Sequence, residues 1–296
     1  MRLEGTRGAM LSAVYAGVAF GLFWIPLRAL EAAGLPGAWA SAAFTVMPVL
    51  LVLPIYWLRR GEIRARNWRG LLGGVLAGVA CGFYALSLPY TEIVRAVLLF
   101  YLTPIWGFLL GRLVLGEAIT PVRWMAVLVG LLGIVVIFGA GETGLPLPQN
   151  AGDWIALASG LTWAVASLFI LIDDRVSVAM HGANFFVVSA LVNALAVVVA
   201  TGAGLGVPDL SVFTDALPWM IAVTLILTIP AGFATIYGPT RLAPGIVGLL
   251  FMAEVAVAAV SAAILSDEPF GMRETVGVLL ILCAGLIVPL REGRKG

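Results

Sequence analysis

Charge is scarce in this chain of 296 residues: Asp, Glu, Lys and Arg make up 11%, against about 25% in ordinary soluble domains. Such a composition excludes a disordered chain, which would be poor in apolar residues and rich in charge. The net charge of +1 carries no basic excess, so nucleic acid is not expected as a partner. Cysteine occurs twice, as Cys81 and Cys283, each inside an apolar run and without metal-ligand spacing. Neither implies a disulfide framework or a metal centre. The single histidine, His181, cannot form a two-histidine metal site and is expected in a loop beside Asp173, Asp174 and Arg175. No Gly-Lys-Ser/Thr phosphate loop is present, so ATP is not the expected energy source. No cofactor and no metal are called for. Lysine appears once, at Lys295, against sixteen arginines, a compositional hint of a bacterial source.

What remains is apolar: 61% of the residues are hydrophobic and the mean hydropathy is +1.07. A soluble fold cannot hide that much apolar surface, so the lipid bilayer is the expected surrounding. About 20 mostly apolar residues are needed to cross it as a helix. Ten such spans are read at 8–30, 38–58, 69–90, 93–112, 122–139, 153–172, 183–201, 217–238, 243–265 and 272–290. The runs are rich in Leu, Val, Ala and Gly and do not alternate, which argues against a β-barrel. The first is too long for a signal-peptide core and is expected to be retained.

Charge placement orients the spans. With a cytoplasmic N-terminus, fourteen of the seventeen basic residues fall on the inside, and only Arg28, Arg95 and Arg273 on the outside. This positive-inside bias predicts that both termini are cytoplasmic, as an even number of spans requires. Trp39, Trp57, Trp68, Trp124, Trp154 and Trp219 fall at expected span ends, where an aromatic belt belongs. Trp24, Trp106 and Trp163 do not.

The Gly/Pro-rich stretch Gly139 to Gly152 divides the chain near its midpoint and reads as a linker. The expected units are residues 1–140 and 153–296, joined by 141–152. The two halves match in order. Gly21-Leu22-Phe23-Trp24 aligns with Gly160-Leu161-Thr162-Trp163 at an offset of 139 residues. Gly82-Phe83 aligns with Gly232-Phe233, and Pro89 with Pro239, at 150. Leu98-Leu99-Phe100 aligns with Leu249-Leu250-Phe251, and Glu117 with Glu268, at 151. Five spans per half is an odd number, so the second half enters the membrane upside down. Inverted repeats of this kind place a site near the bilayer midplane between them.

The halves resemble two EamA domains of the drug/metabolite transporter superfamily. The motifs that carry the resemblance are Phe20-Gly21-Leu22-Phe23-Trp24, Leu161-Thr162-Trp163-Ala164, Thr103-Pro104 followed by Leu115-Gly116-Glu117, and Ala253-Glu254-Val255 followed by Asp267-Glu268-Pro269. The resemblance implies an all-α membrane protein of ten helices in two inverted five-helix repeats, and the export of metabolites, often amino acids. Val255 stands where many members carry proline after the glutamate, and Asp267 replaces the expected glycine.

Small residues at four-residue spacing, Gly74-Gly78-Gly82 in the third span and Gly17-Gly21 in the first, predict close helix packing. Pro26, Pro48, Pro104 and Pro230 lie inside spans and predict kinks.

Glu254 is the acidic residue nearest the middle of a span. Charge there costs about 2.5–3.5 kcal/mol on insertion scales, so the residue faces protein or water. Its functional reading is a proton-coupling or substrate-ammonium group, and its structural reading is a hydrogen bond that holds the ninth span. Ser159, Trp163 and Ser167 share one face of the sixth span and suggest an aromatic pocket with hydroxyls. Trp24, Tyr84, Tyr101, Phe233 and Tyr237 complete the expected substrate-binding set. The lack of lysine and arginine at mid-span argues against phosphates and nucleotide-sugars.

The expectation is a secondary transporter of the bacterial inner membrane, rocking one bundle against the other. Its expected substrates are small molecules, first aromatic and other apolar amino acids, which resembles the YddG-type aromatic amino-acid exporters of the superfamily. A multidrug or other metabolite exporter on the same scaffold is the first alternative. An intramembrane lipid-modifying enzyme is the second, but its only acidic cluster would be Asp173-Asp174-Arg175.

Overall fold

A computed structural model of the chain describes residues 2–35, 37–64, 68–87, 90–91, 93–138, 148–265 and 270–292. Among these residues every regular element is helical. Eight segments are long and apolar enough to cross a membrane, for example Gly37–Leu58, Ala151–Ile172 and Val178–Gly202, and Pro121–Ile137 is a shorter apolar helix. At 1.5 Å per residue, a 22-residue helix reaches about 33 Å, enough for a hydrocarbon core of about 30 Å. The protein is therefore a multi-pass membrane protein. The expected linker falls largely on residues 139–147, and Pro89 and the Asp267-Glu268-Pro269 motif also lie outside the described residues.

Proline sets where the helices break. Helix α1 (Arg2–Gly21) stops two residues before α2 (Trp24–Ala32). Pro26 lacks the N–H that would bond the carbonyl of Leu22, and its ring crowds that carbonyl. The same geometry recurs between α6 (Ile93–Phe100) and α7 (Thr103–Leu115), where Pro104 stands four residues after Phe100. The Phe100 carbonyl accepts instead from the Thr103 hydroxyl at 2.5 Å. Pro230, in α12 (Ile229–Tyr237), follows a π-helical turn at Thr224–Thr228 that joins it to α11 (Leu210–Val223). Pro48 and Pro54 are instead accommodated inside α3 (Gly37–Leu58). The expected span 217–238 thus begins seven residues earlier, as a composite of an α-helix, a π-helical turn and a second α-helix.

The break between α13 (Pro244–Phe251) and α14 (Ala253–Leu265) has no proline. It falls at Met252, and the N–H of Val255 turns to the Met252 carbonyl at 3.1 Å. The departure at Val255 therefore does not straighten this helix.

The remaining long helices are α5 (Trp68–Ser87), α8 (Pro121–Phe138), α9 (Ala151–Ile172), α10 (Val178–Gly202) and α15 (Met272–Glu292), with the short surface helix α4 (Arg60–Arg64). Asn150 caps α9 by accepting from Asp153 N–H at 2.8 Å, so residues 151 and 152 are helix rather than linker. Ser177 caps α10 in the same way at 3.2 Å. That cap moves the start of the seventh span from 183 to Val178, and His181 is buried in its first turn rather than in a loop. Its Nδ1 accepts the backbone N–H of Gly74 at 3.1 Å.

Helix α5 packs between α9 and α10, α3 lies on α10, α8 on α15, and α7 crosses α13, while α1 runs beside α12 and α14. The glycines of α5 make this packing close: a methyl at Gly74 would lie 2.5 Å from the His181 carbonyl, and one at Gly82 2.4 Å from Val192. Successive contacts run in step from Gly74 to His181 and from Gly82 to Val192, so α5 and α10 are parallel. Gly107 on α7 meets Gly245 on α13, and Tyr101 meets Phe251, so α7 and α13 are antiparallel.

A buried ion pair ties α6 to α9. The Arg95 guanidinium donates to Asp153 Oδ2 from Nη2 at 2.6 Å and from Nε at 3.1 Å. Gln149 N–H and the Thr91 hydroxyl also donate to this carboxylate. A smaller core of Leu30, Leu35, Phe44, Ala216 and Met220 joins α2, α3 and α11. Trp219 packs against the Phe44 ring at 6.1 Å and is not a simple belt residue. Trp57, Trp68 and Trp154, each more than half exposed, fit the belt better.

Candidate functional site

A cavity of about 640 Å³ lies between the helices. It is lined by the C-terminal parts of α1 and α5, by α14 from Glu254 to Ala262, by the N-terminal parts of α3 and α15, and by α6, with Trp163 from α9 and with α10 and the α11–α12 composite. Because neighbouring passes alternate in direction, those parts lie toward one face of the protein. Arg28 of α2 and Glu274 of α15 mark the mouth on that face.

Aromatic rings make most of the wall. Trp163 is 4% exposed and lies over Phe251, with ring centroids 5.6 Å apart and planes 32° apart. Tyr84 packs on Phe100 at 4.9 Å, and Phe100 on Tyr101 at 5.2 Å. Phe23 meets Phe44 at 5.1 Å across the outer part. Trp24 donates its indole N–H to the Ser261 hydroxyl at 2.9 Å, and the Arg28 guanidinium stacks over its ring at 4.9 Å.

The polar groups fall into two kinds. Some are already satisfied: Ser189 donates to the Gly78 carbonyl and Asn193 to the Ser189 carbonyl. Others are buried without a hydrogen-bond partner, among them Trp163 Nε1, Thr228 Oγ1 and Thr235 Oγ1, all in cavity-lining residues. An unmade buried hydrogen bond costs about 1–3 kcal/mol, so these groups are short of partners in this conformation. At the floor, the Tyr101 hydroxyl lies 2.9 Å from Glu254 Oε2 and 3.1 Å from the Phe251 carbonyl. The carboxyl thus meets a phenol rather than a cation.

Of the residues expected at the site, Trp24, Tyr84, Tyr101, Trp163 and Glu254 border this cavity. Ser159, Ser167, Phe233 and Tyr237 do not. The Ser159 hydroxyl donates to the Ala80 carbonyl at 2.7 Å and staples α9 to α5. Ser167 returns its hydroxyl to the Trp163 carbonyl one turn back, at 2.9 Å. Both serines share a helix face with Trp163, but only the indole is long enough to cross to Phe251. Phe233 fills the gap over Gly182 and meets Phe186 edge-on at 5.9 Å. Tyr237 lies beside Gly8, away from the cavity.

Several lining residues were not foreseen. Thr228 and Thr235 stand seven residues apart, a spacing that signals one helix face but no particular neighbour. Arg28 reads in the sequence as an end-of-span cation. Phe185 and Phe186 lie in an apolar run that offers no local sign of a cavity.

Residues 7–139 match the EamA-like transporter family. A riboflavin transporter of Rhizobium johnstonii is 30% identical over 167 residues, which are 52% of this chain and 51% of that protein. The chain thus spans about half the length of the curated relative it matches. A solved crystal structure of a protein 20% identical in sequence aligns over 97% of this chain and 98% of that one, with a TM-score of 0.73. At that identity the likeness speaks for the fold.

Proposed function

We propose that this chain is a secondary transporter that moves a small aromatic metabolite through the cavity by alternating access. The observation that carries the reading is the one-sided, aromatic-walled cavity with buried polar atoms left unpaired. Two inverted repeats of five passes, residues 1–140 and 153–296, are the proposed framework. Exchanging the halves preserves part of the packing pattern: α1 on α12 trades with α9 on α5, and α3 on α10, α7 on α13 and α8 on α15 map onto themselves, whereas the close packing of α5 on α10 has only a slight counterpart between α3 and the α11–α12 composite. The breaks after Phe100 and Phe251 stand 151 residues apart, the offset at which Leu98-Leu99-Phe100 aligns with Leu249-Leu250-Phe251. Both support the repeat. The basic-residue bias supports cytoplasmic termini in a bacterial inner membrane, and with them a cavity that faces outward.

Aromatic and large apolar amino acids are the proposed substrates. Stacking surfaces suit their side chains, and the free hydroxyls and indole N–H suit their carboxylates. A planar heterocycle such as riboflavin is the second reading, favoured by the likeness to the riboflavin transporter. Counterflow in proteoliposomes, with labelled amino acids and riboflavin in one panel, tests both. Exchange of aromatic amino acids but not of aspartate or lysine is the expected result. Exchange of riboflavin alone would replace the amino-acid reading. Broad exchange of unrelated aromatic cations would make it a multidrug carrier. Chemical conversion without exchange would end the transporter reading.

A further inference from the structure

The floor of the cavity contains a countable set of protons. The Tyr101 hydroxyl sits within hydrogen-bonding distance of two oxygens, the Phe251 carbonyl at 3.1 Å and Glu254 Oε2 at 2.9 Å. A phenol hydroxyl has one proton to donate, and both a carbonyl and an ionised carboxylate can only accept. With Glu254 ionised, both acceptors must share that single hydrogen, and neither contact is a full hydrogen bond. With Glu254 as the acid, its O–H donates to the Tyr101 oxygen and the Tyr101 O–H donates to the Phe251 carbonyl. Both contacts are then hydrogen bonds.

We propose that Glu254 is the proton carrier of the transport cycle and that it holds its proton in the conformation seen here, linked through Tyr101 to the break between α13 and α14. The proposal rests on the transporter reading above and chooses the proton over a substrate ammonium as the partner of Glu254. The step balances simply: the carboxylate takes a proton from hydronium in the cavity, leaving the acid and water. The cavity reaches Glu254 from the face that carries Arg28 and Glu274, so loading occurs from that face. On the other face the route is closed where Gly107 of α7 abuts the backbone of Pro244 and Gly245.

The link to the break has a mechanical consequence. Phe251 is the last residue of α13, and Glu254 lies in the first turn of α14. When the acid loses its proton, the single hydrogen of Tyr101 must serve either the carboxylate or the carbonyl. Turning to the carboxylate frees the carbonyl and loosens α13 from Tyr101. Charge on Glu254 and the junction of the two helix halves are thereby coupled. Among the described residues, the other titratable or charged groups around this cavity are Cys81 and Tyr84 from α5, Arg28 from α2 and Glu274 from α15.

The full-length protein in nanodiscs provides the direct test, by infrared difference spectroscopy near neutral pH. A carboxylic-acid C=O band is expected in the wild type, absent from Glu254→Gln and shifted in Tyr101→Phe, which removes its acceptor. Retention of the same band in Glu254→Gln, or its absence from the wild type, would overturn the proposal. In proteoliposomes an imposed pH gradient is expected to drive accumulation of substrate in the wild type and to lose that drive in Glu254→Gln. Accumulation that ignores the gradient in the wild type, with counterflow intact, would sink the proton carrier and leave the transporter reading standing. Absence of counterflow for every substrate, with the band present, would instead sink the transporter reading, and the carrier role with it.

Discussion

The same pair of helices, α7 and α13 with their extensions α6 and α14, is sealed at one end and open at the other. At the sealed end Gly107 meets the backbone of Gly245, Pro104 meets Gly248, and the Phe108 ring lies across Gly245. Beyond it, Arg123 bridges to Glu117 at 2.7 Å and covers Phe108 at 5.4 Å. At the open end the facing residues are Tyr101, Phe100, Phe251 and Glu254, with Trp163 added from α9. The difference teaches that side-chain size at a crossing decides where helices touch. Glycine against glycine lets backbones meet and excludes water. Aromatic rings with polar tips prop the same helices apart and leave a lined space.

The comparison can be broken outright by asking which face admits a reagent. Cys81 lines the open cavity, whereas Cys283 is on the exposed side of α15. In a Cys283→Ser background, an impermeant thiol reagent is expected to modify Cys81 when added on the Arg28/Glu274 face and to leave it unmodified from the other. Modification from the opposite face alone would reverse the assignment of sealed and open ends. Gly144→Cys, in the expected extracytoplasmic linker, reports which face of the cell membrane that is.

A large effect on stability is expected behind the open end. Arg95 and Asp153 are both nearly or wholly buried, and removing one partner leaves an uncompensated charge, at a cost of about 3–5 kcal/mol. Arg95→Ala should therefore lower thermal stability in detergent more than Arg123→Ala, whose pair with Glu117 is partly exposed. Equal losses would mean that burial does not distinguish the two pairs.

The sealed end should respond to a single methyl. At Gly107 a Cβ would stand 2.5 Å from the Gly245 nitrogen, which is backbone and cannot step aside. Gly107→Ala is expected to cost about 1–3 kcal/mol through overpacking, read as a fall in melting temperature. Gly61→Ala, at a position with open space around it, should leave the melting temperature unchanged.

The smallest effect sharpens the reading of the cavity wall. Trp163→Phe keeps an aromatic ring but removes the unpaired indole N–H. A hydrogen bond to substrate worth about 0.5–1.5 kcal/mol predicts a loss of transport of about two- to tenfold, measured as KM and rate at matched expression. Trp154→Phe, on the exposed face of α9, should transport like the wild type. Trp219 is a poor control, because its ring supports Phe44 in the cavity wall. Identical kinetics in Trp163→Phe and wild type would remove the indole N–H from the site.

Much of the fold was legible because its causes are local. Pro26 and Pro104 each stand four residues after the carbonyl they crowd, and the helix breaks between the two. The alignment of Leu98-Leu99-Phe100 with Leu249-Leu250-Phe251 ends at the two breaks. The break at Met252 was not legible, because no residue there forbids helix. Of the site, deep aromatics and the mid-span glutamate were legible as oddities of depth. Ser159 and Ser167 misled because helix periodicity tells which residues share a face, and not how far each side chain reaches.

By itself the sequence determined that this chain lives in lipid, where most of its apolar helices run, and that Pro26 and Pro104 interrupt two of them. Lipid offers no hydrogen bonds to a bare backbone, so a long apolar run must be helix whatever surrounds it. Only the tertiary structure decided that Tyr101 meets Glu254, 153 residues away, that Phe233 fills a gap while Phe251 faces a cavity, and that the molecule closes at one end. Those outcomes depend on the distance between helix axes and on the length of the side chains that meet across it. That distance is set jointly by residues remote in the chain, such as Gly107 and Gly245.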